Sequence, residues 1–246
     1  MNAGPLTQTS ARKPQIHEDF DRVSKGYDRM CAMNPGYRKH LGLSAQRLQA
    51  KPGARLLDLC CGTGLSTAAI LVEHPDASVQ GLDASKGMLE RARSKPGLAG
   101  VEFLHGDAMD PAAAGAKGPF DGILMAYGLR NVEDPDLCLE RLFGLLAPGG
   151  TLCLHEYSVA DSRSARARWN MVTCGIVIPL AVPVCRTTEI FRYLRRSVLE
   201  FDGVQGIESR LTKAGFEGVK TLPMDGWATG ILHTFVGQRP KETPGR

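Results

Sequence analysis

The chain reads as an α/β protein with a parallel sheet covered by helices on both faces. Three observations carry this reading. Short apolar runs alternate with helix-like segments along most of the 246 residues. The first run, L-L-D-L-C-C-G-T-G-L-S from Leu56 to Ser66, ends in an acid and a glycine turn that opens a helix. An amphipathic helix followed by two more strand candidates closes the C-terminal part.

Taken in order, apolar runs at 55–59, 78–82, 101–104, 120–126 and 151–155 supply five strands, separated by helix-like segments near 65–74, 85–95 and 134–147. A helix around 204–214 stops at Gly215 and leads to V-K-T-L at 219–222 and I-L-H-T-F-V at 231–236, giving seven strands. The chain carries no internal repeat and no low-complexity block.

The glycine turn limits the ligand. With Gly62 and Gly64 as the first two glycines of a dinucleotide fingerprint, Thr67 stands where a third small residue is needed, which weakens a pyrophosphate reading. No Lys-Ser or Lys-Thr pair follows, so a P-loop is excluded. Asp83 ends V-Q-G-L-D nineteen residues after Gly64, where a carboxylate can accept from both ribose hydroxyls. Asp107 ends V-E-F-L-H-G-D, and its carboxylate or the Ala108 amide is placed for an adenine edge. With Asp58, three acids end three successive strands, which suits a nucleoside carrying a sulfonium cation and suits a diphosphate badly. Against each piece alone stands an ordinary reading, a tight loop or a helix cap; the ordered combination favours the ligand.

Composition bounds the rest. A 43% hydrophobic, 23% charged chain is ordinary for one globular domain, and a net charge of +4 without a long Lys/Arg run gives no nucleic-acid groove. Seven cysteines with no C-x-x-C pair argue against a zinc site or a disulfide framework and read as reduced cytosolic thiols; Cys60 and Cys61, in the turn, are expected to be open to alkylation. Residues 1–16 lack acids and an apolar core, and read as a disordered tail rather than as a processed signal. Met171 to Cys185 is apolar but interrupted by Pro179 and Pro183, too short and broken to cross a bilayer. Either it is a buried helix plus loop, or it is an apolar wall for a flat substrate with arginines able to meet lipid headgroups.

The turn D-L-C-C-G-T-G, with G-L-D-A-S, H-G-D-A and A-P-G-G, resembles class I S-adenosylmethionine-dependent methyltransferases. F-D-G-I-L-M-A-Y-G-L-R-N-V-E-D from Phe120 to Asp134 narrows this, because G-L-R-N-V after the fourth strand is similar to the ubiquinone/menaquinone biosynthesis C-methyltransferases. F-D-R-V-S-K-G-Y-D, F-R-Y-L-R-R-S-V and A-G-F-E-G-V resemble the same family, over roughly residues 17–237. The chain departs from the family pattern at Cys60-Cys61, at Ala126-Tyr127 and in the tail G-W-A-T-G-I-L-H-T-F-V-G.

The resemblance implies a Rossmann-like class I methyltransferase fold, a seven-stranded mostly parallel sheet whose last strand is antiparallel, with a helical cap. Its expected parts are an N-terminal lid (17–50), a cofactor-binding core (51–160), a cap insertion (161–200), a C-terminal helix and hairpin (201–240) and a tail (241–246). The implied cofactor is S-adenosyl-L-methionine. Carried over residue by residue, Thr63 and the Gly62–Gly64 backbone face the methionine part, Asp83 the ribose, and Asp107 with Ala108 the adenine; Asp58 and Ala84 are further cofactor-binding candidates. Ala126 supplies backbone to the amino group, and Tyr27 belongs to the lid, although Tyr27 and Asp28 read equally well as a helix-end pair. Candidate catalytic residues are Tyr127, Arg130, Asn131 and His155; no metal is expected.

Methyl transfer asks mainly for alignment in a dry pocket. An acceptor carbon ortho to a phenol also needs its phenolate favoured; Arg130 is the leading candidate for that oxyanion, with a water on Arg130 and Asn131, or a histidine, as proton acceptor. The competing readings are that Arg130 and Asn131 only tie down their loop, and that His155 and His233 are structural. The expected acceptor is a phenolic or quinol-like small molecule methylated at carbon. The alternatives are oxygen or nitrogen methylation of another aromatic or heteroaromatic metabolite, and a non-catalytic cofactor-binding subunit. A cytoplasmic location, with peripheral membrane contact and a homodimer as options, completes the expectations.

Overall fold

The computed structural model describes residues 16–241; the expected tails fall outside them, apart from Ile16 and Lys241. Among the described residues, seven strands form a single sheet in the order β3-β2-β1-β4-β5-β7-β6. The strands are β1 (Arg55–Leu59), β2 (Ser78–Asp83), β3 (Glu102–His105), β4 (Phe120–Ala126), β5 (Leu146–Tyr157), β6 (Glu217–Pro223) and β7 (Leu232–Gln238). The pairings β1 with β2, β1 with β4, β2 with β3 and β4 with β5 are parallel. Strand β7 is antiparallel to both of its neighbours, as the family resemblance implied for the last strand.

Both faces of the central strands are apolar, as a parallel sheet covered on both sides requires. On one face Leu57, Ile123, Leu152 and Phe235 pack with Leu139 and Leu142 of α5 (Pro135–Leu145) and Leu211 of α9 (Val204–Lys213). On the other, Leu56, Leu124, Cys153 and Val236 meet Ala45 of α2 (Tyr37–Gln46) and Ile70 of α3 (Leu65–Glu73). Local signals set the helix starts. Asp134 caps α5 by accepting from the amides of Asp136 and Leu137, with Pro135 in the first turn, and Ser85 caps α4 (Lys86–Arg93) through the Met88 amide.

Helix α1 (Ile16–Ala32) lies across the C-terminal strand ends and is fastened by two carboxylates. Asp21 accepts from Ser85 Oγ at 2.5 Å and from the Gly87 amide at 2.7 Å. Asp28 accepts from Thr63 Oγ1 at 2.5 Å and pairs with Lys95 at 2.7 Å.

The cap corrects one expectation. From Arg163 to Cys185 the chain is one helical run of 23 residues: α6 (Arg163–Val172), a π-helical turn at Thr173–Val177 and α7 (Ile178–Cys185). Pro179 falls in the first turn of α7, and the wide turn before it accommodates the change of register, so neither it nor Pro183 ends the helix. The run is long and apolar enough to cross a bilayer by length and composition, yet only 17% of its most apolar window is buried. It is therefore neither too short and broken nor a buried core helix. Helix α8 (Glu189–Glu200) returns beneath it and packs Ile190, Phe191 and Tyr193 with Val23 of α1 and Ala181 of α7.

Candidate active site

Strand order reverses between β1 and β4, and open α/β sheets bind ligands at the carboxyl ends of such strands. A cavity of about 450 Å³ lies there, lined by Cys60, Gly62, Asp83, Ala84, Asp107, Ala108, Ala126 and Asn131, with Ile16, His17, Phe20 and Tyr27 of α1 as its cover. Asp83 is held rigidly: Oδ2 accepts from the Gly62 amide and Oδ1 from the Ser85 amide, each at 2.8 Å. Burial pushes its carboxyl above the usual range, against the pull of those two amides. Gly62 has φ 55°, and a Cβ there would meet nothing within 4 Å, so the turn leaves a cradle for a ligand to approach backbone. Gly64 has the opposite reason to be glycine: at φ 80°, its Cβ would press to 2.5 Å from Leu98.

A second cavity, about 370 Å³, adjoins the first and is almost wholly apolar, with walls from α1, α6, α7 and α8. Phe20, Tyr27 and Tyr127 line both. Phe20 and Tyr27 are seven residues apart on α1, hence on one face, and their rings meet edge to face at 6.1 Å. Tyr127 stacks on Tyr37 at 5.7 Å and packs against Tyr157 at 4.9 Å. Burial lifts the phenols of Tyr27, Tyr37 and Tyr127 well above their ordinary value. No carboxylate or imidazole lines this cavity among the described residues.

Two non-glycine residues with left-handed backbone, Cys60 at φ 59° and Tyr127 at φ 58°, sit just past the ends of neighbouring strands β1 and β4, both on the polar cavity. Such conformations cost of order 1 kcal/mol or more each. They aim the Tyr127 ring at the junction of the two cavities.

Arg130 is the cation on the apolar wall, 4% exposed. Its Nη1 donates to Glu156 Oε1 and to the Tyr127 carbonyl, each at 2.7 Å, and its Nε to Ser197 Oγ at 3.3 Å. Burial opposes its charge, but Glu156 and the surrounding phenols outweigh that and raise its pKa. Asn131 Nδ2 donates to the same Tyr127 carbonyl at 3.1 Å and its Oδ1 accepts from Tyr193 at 3.2 Å. Both residues thus tie down their loop while presenting polar groups to the cavities.

Four expectations change. Asp58 does not line the cavity; it is fully buried, and its Oδ2 accepts from Ser66 at 2.8 Å and Thr67 at 2.6 Å, anchoring the start of α3. Burial raises its carboxyl to about 7, against those two hydroxyls. Thr63 and Gly64 also sit off the cavity wall, with Thr63 turned to Asp28. His155, offered as a proton acceptor, is enclosed between Ser44 Oγ at 2.7 Å and Tyr127 Oη at 2.9 Å. Burial lowers its pKa to about 3, with His40 and Arg47 adding to the effect, so it stays a neutral bridge. The thiols of Cys60 and Cys61 are pushed well above their ordinary value by burial, which suppresses the thiolate that alkylation needs. Sequence reasoning missed Phe20, Tyr37, Trp169 and Tyr193 on the apolar wall. The seven-residue spacing of Phe20 and Tyr27 was the available signal.

Solved structures share this architecture. The [4+2]-cyclase SpnF superposes with a TM-score of 0.67 at 18% identity, covering 96% of this chain and 98% of that one. The CurJ carbon methyltransferase gives 0.59 at 23% identity, covering 78% of this chain and 50% of that one. The fold is that of the class I methyltransferases, enzymes whose cofactor is S-adenosyl-L-methionine. The chain belongs to the ubiE/COQ5 methyltransferase family, whose model matches residues 8–239. Among its relatives, the demethylmenaquinone methyltransferase of Clavibacter sepedonicus is 33% identical over 94% of this chain and 93% of that protein. The one from Lactococcus lactis subsp. lactis (strain IL1403) is 29% identical over 96% and 95%.

Proposed function

We propose that this methyltransferase acts on a ring carbon of an apolar quinol. The observation that carries the reading is the pairing of cavities: a polar one at the strand ends and an almost wholly apolar one beside it, joined at Tyr27 and Tyr127, with Arg130 as the cation on the apolar side. The names of the curated relatives, demethylmenaquinone methyltransferases, point to the same acceptor class.

In this reading Asp83 accepts from the ribose hydroxyls, Asp107 and the Ala108 amide meet the adenine edge, and the Ala126 backbone meets the amino group. The bound cofactor supplies an electrophilic methyl group on sulfur. The protein would align the acceptor carbon with that methyl between the aromatic side chains and exclude bulk water, leaving a single water near Arg130 and Asn131. Arg130 would hold the quinol oxygen as its oxyanion, which raises electron density at the ortho carbon that accepts the methyl group. The ring proton then leaves from that carbon and aromaticity returns. With His155 locked in its bridge, that proton goes to water admitted near Arg130 and Asn131.

The test is release of S-adenosylhomocysteine by the purified chain with a demethylated quinol in detergent, beside soluble phenols and heteroaromatics. Turnover of the quinol with methyl on carbon is the expected result. Turnover of a soluble heteroaromatic alone, or methyl on oxygen or nitrogen, overturns the reading.

A further inference from the structure

The helical run Arg163–Cys185 is a wall with two apolar sides. One side, with Trp169, Val172, Val177 and Leu180, lines the apolar cavity. The opposite side faces outward, and Met171, Cys174, Gly175, Pro179, Val182 and Pro183 are all exposed there. Their spacing of three and four places them on one helix face. Met171 is 67% and Val182 56% exposed, so this stripe has no cover within the described chain. Exposed arginines bracket it: Arg163 and Arg168 before, Arg186 after. From Ser162 to Thr188 the chain has four arginines and no carboxylate. The span from Arg168 to Arg186 is about 27 Å at 1.5 Å per residue. Ile176 and Met33, 54% and 42% exposed, both line the cavity, so its mouth opens beside the stripe.

We infer that this face lies flat in the surface of an anionic membrane, with its apolar stripe among the acyl chains and its terminal arginines at the headgroups. The inference rests on the quinol reading for what passes beneath the helix: an apolar acceptor enters the cavity from lipid, past Ile176 and Met33, without crossing water. Charge selects the occupant. A second copy docked by the same face would bring arginines against arginines with no carboxylate between them, whereas anionic headgroups meet each one.

The test is flotation of the full chain with vesicles of phosphatidylcholine and phosphatidylglycerol in equal parts, and with phosphatidylcholine alone, without any acceptor. The wild type should float with the anionic vesicles, and binding should fall about tenfold on neutral ones and again in high salt. The double variant M171E/V182E, outside both cavities, should stay unbound while keeping its melting temperature and its turnover of a short-chain soluble quinol. A wild type that ignores anionic vesicles, or a variant that floats equally well, overturns the inference. So does a wild type that elutes as a dimer which the variant splits, or one whose face becomes available only after residues 1–15 are deleted. Because flotation needs no acceptor, its failure is separate from failure of the quinol assay.

Discussion

The two halves of the site are made differently. The polar half is assembled from strand ends and the turns that follow them, so its wall is set by short stretches of chain: Gly62 and Asp83 lie 21 residues apart and join by one hydrogen bond. The apolar half draws side chains from α1, α2, α6, α7 and α8, elements that meet only when the whole chain is folded. The first half needs fixed backbone donors and acceptors, and the second needs shape and dryness. A fold can therefore keep one cofactor site while changing its acceptor by altering helices that the sheet does not depend on.

The largest expected effect tests the charge in the apolar half. Arg130→Ala leaves Glu156 buried without its partner and should cost about 3–5 kcal/mol of stability. Arg130→Lys keeps a charge and should fold, with kcat lowered about tenfold or more and cofactor affinity nearly unchanged. Kinetics beside calorimetry checks the split, and a loss confined to cofactor affinity would move Arg130 into the polar half.

Behind the polar half, Asp58 has its folded pKa raised to about 7 from an ordinary 3.8. Its contribution to stability is thus fully present below 3.8 and is lost as pH rises through about 7. Relative to Asp58→Asn, the wild type should lose up to about 4 kcal/mol between acid and mildly alkaline pH, read from denaturant melts. Parallel pH profiles for the two proteins would contradict this environment for Asp58.

Asp83→Ala should weaken cofactor binding by on the order of a hundredfold while leaving acceptor binding alone. Equal affinity in calorimetry would remove the ribose assignment. The smallest effect belongs to the shared cover: Asp28→Asn loosens the hold on Thr63 and Lys95 and should weaken both ligands by about the same severalfold factor. A change in one ligand only would show that α1 serves one half.

The fold was legible because the central strands β1 to β4 are short, mostly apolar runs, although β5 extends to 12 residues and β6 is largely exposed, and the polar half was legible because its residues follow those strands directly. Asp83, Asp107, Ala108 and Ala126 could be placed on its wall for that reason. Asp58 misled because an acid after an apolar run reads the same whether it faces a ligand or the hydroxyls of the following helix, and only the turn's three-dimensional path separates Ser66 and Thr67 from the cavity. The apolar half was largely illegible because its aromatics come from distant helices. Pro179 and Pro183 hid the length of the cap helix, since a π turn that tolerates proline leaves no signature in composition.

Helix α1 bounds both cavities through Phe20 and Tyr27 and is clasped to the strand ends by Asp21 and Asp28. In the proposed reading this partition is shared by cofactor and acceptor, and their occupancies are then coupled through α1. Any free energy the cofactor contributes to seating α1 is returned to the acceptor as affinity, and by reciprocity the acceptor tightens the cofactor by the same factor.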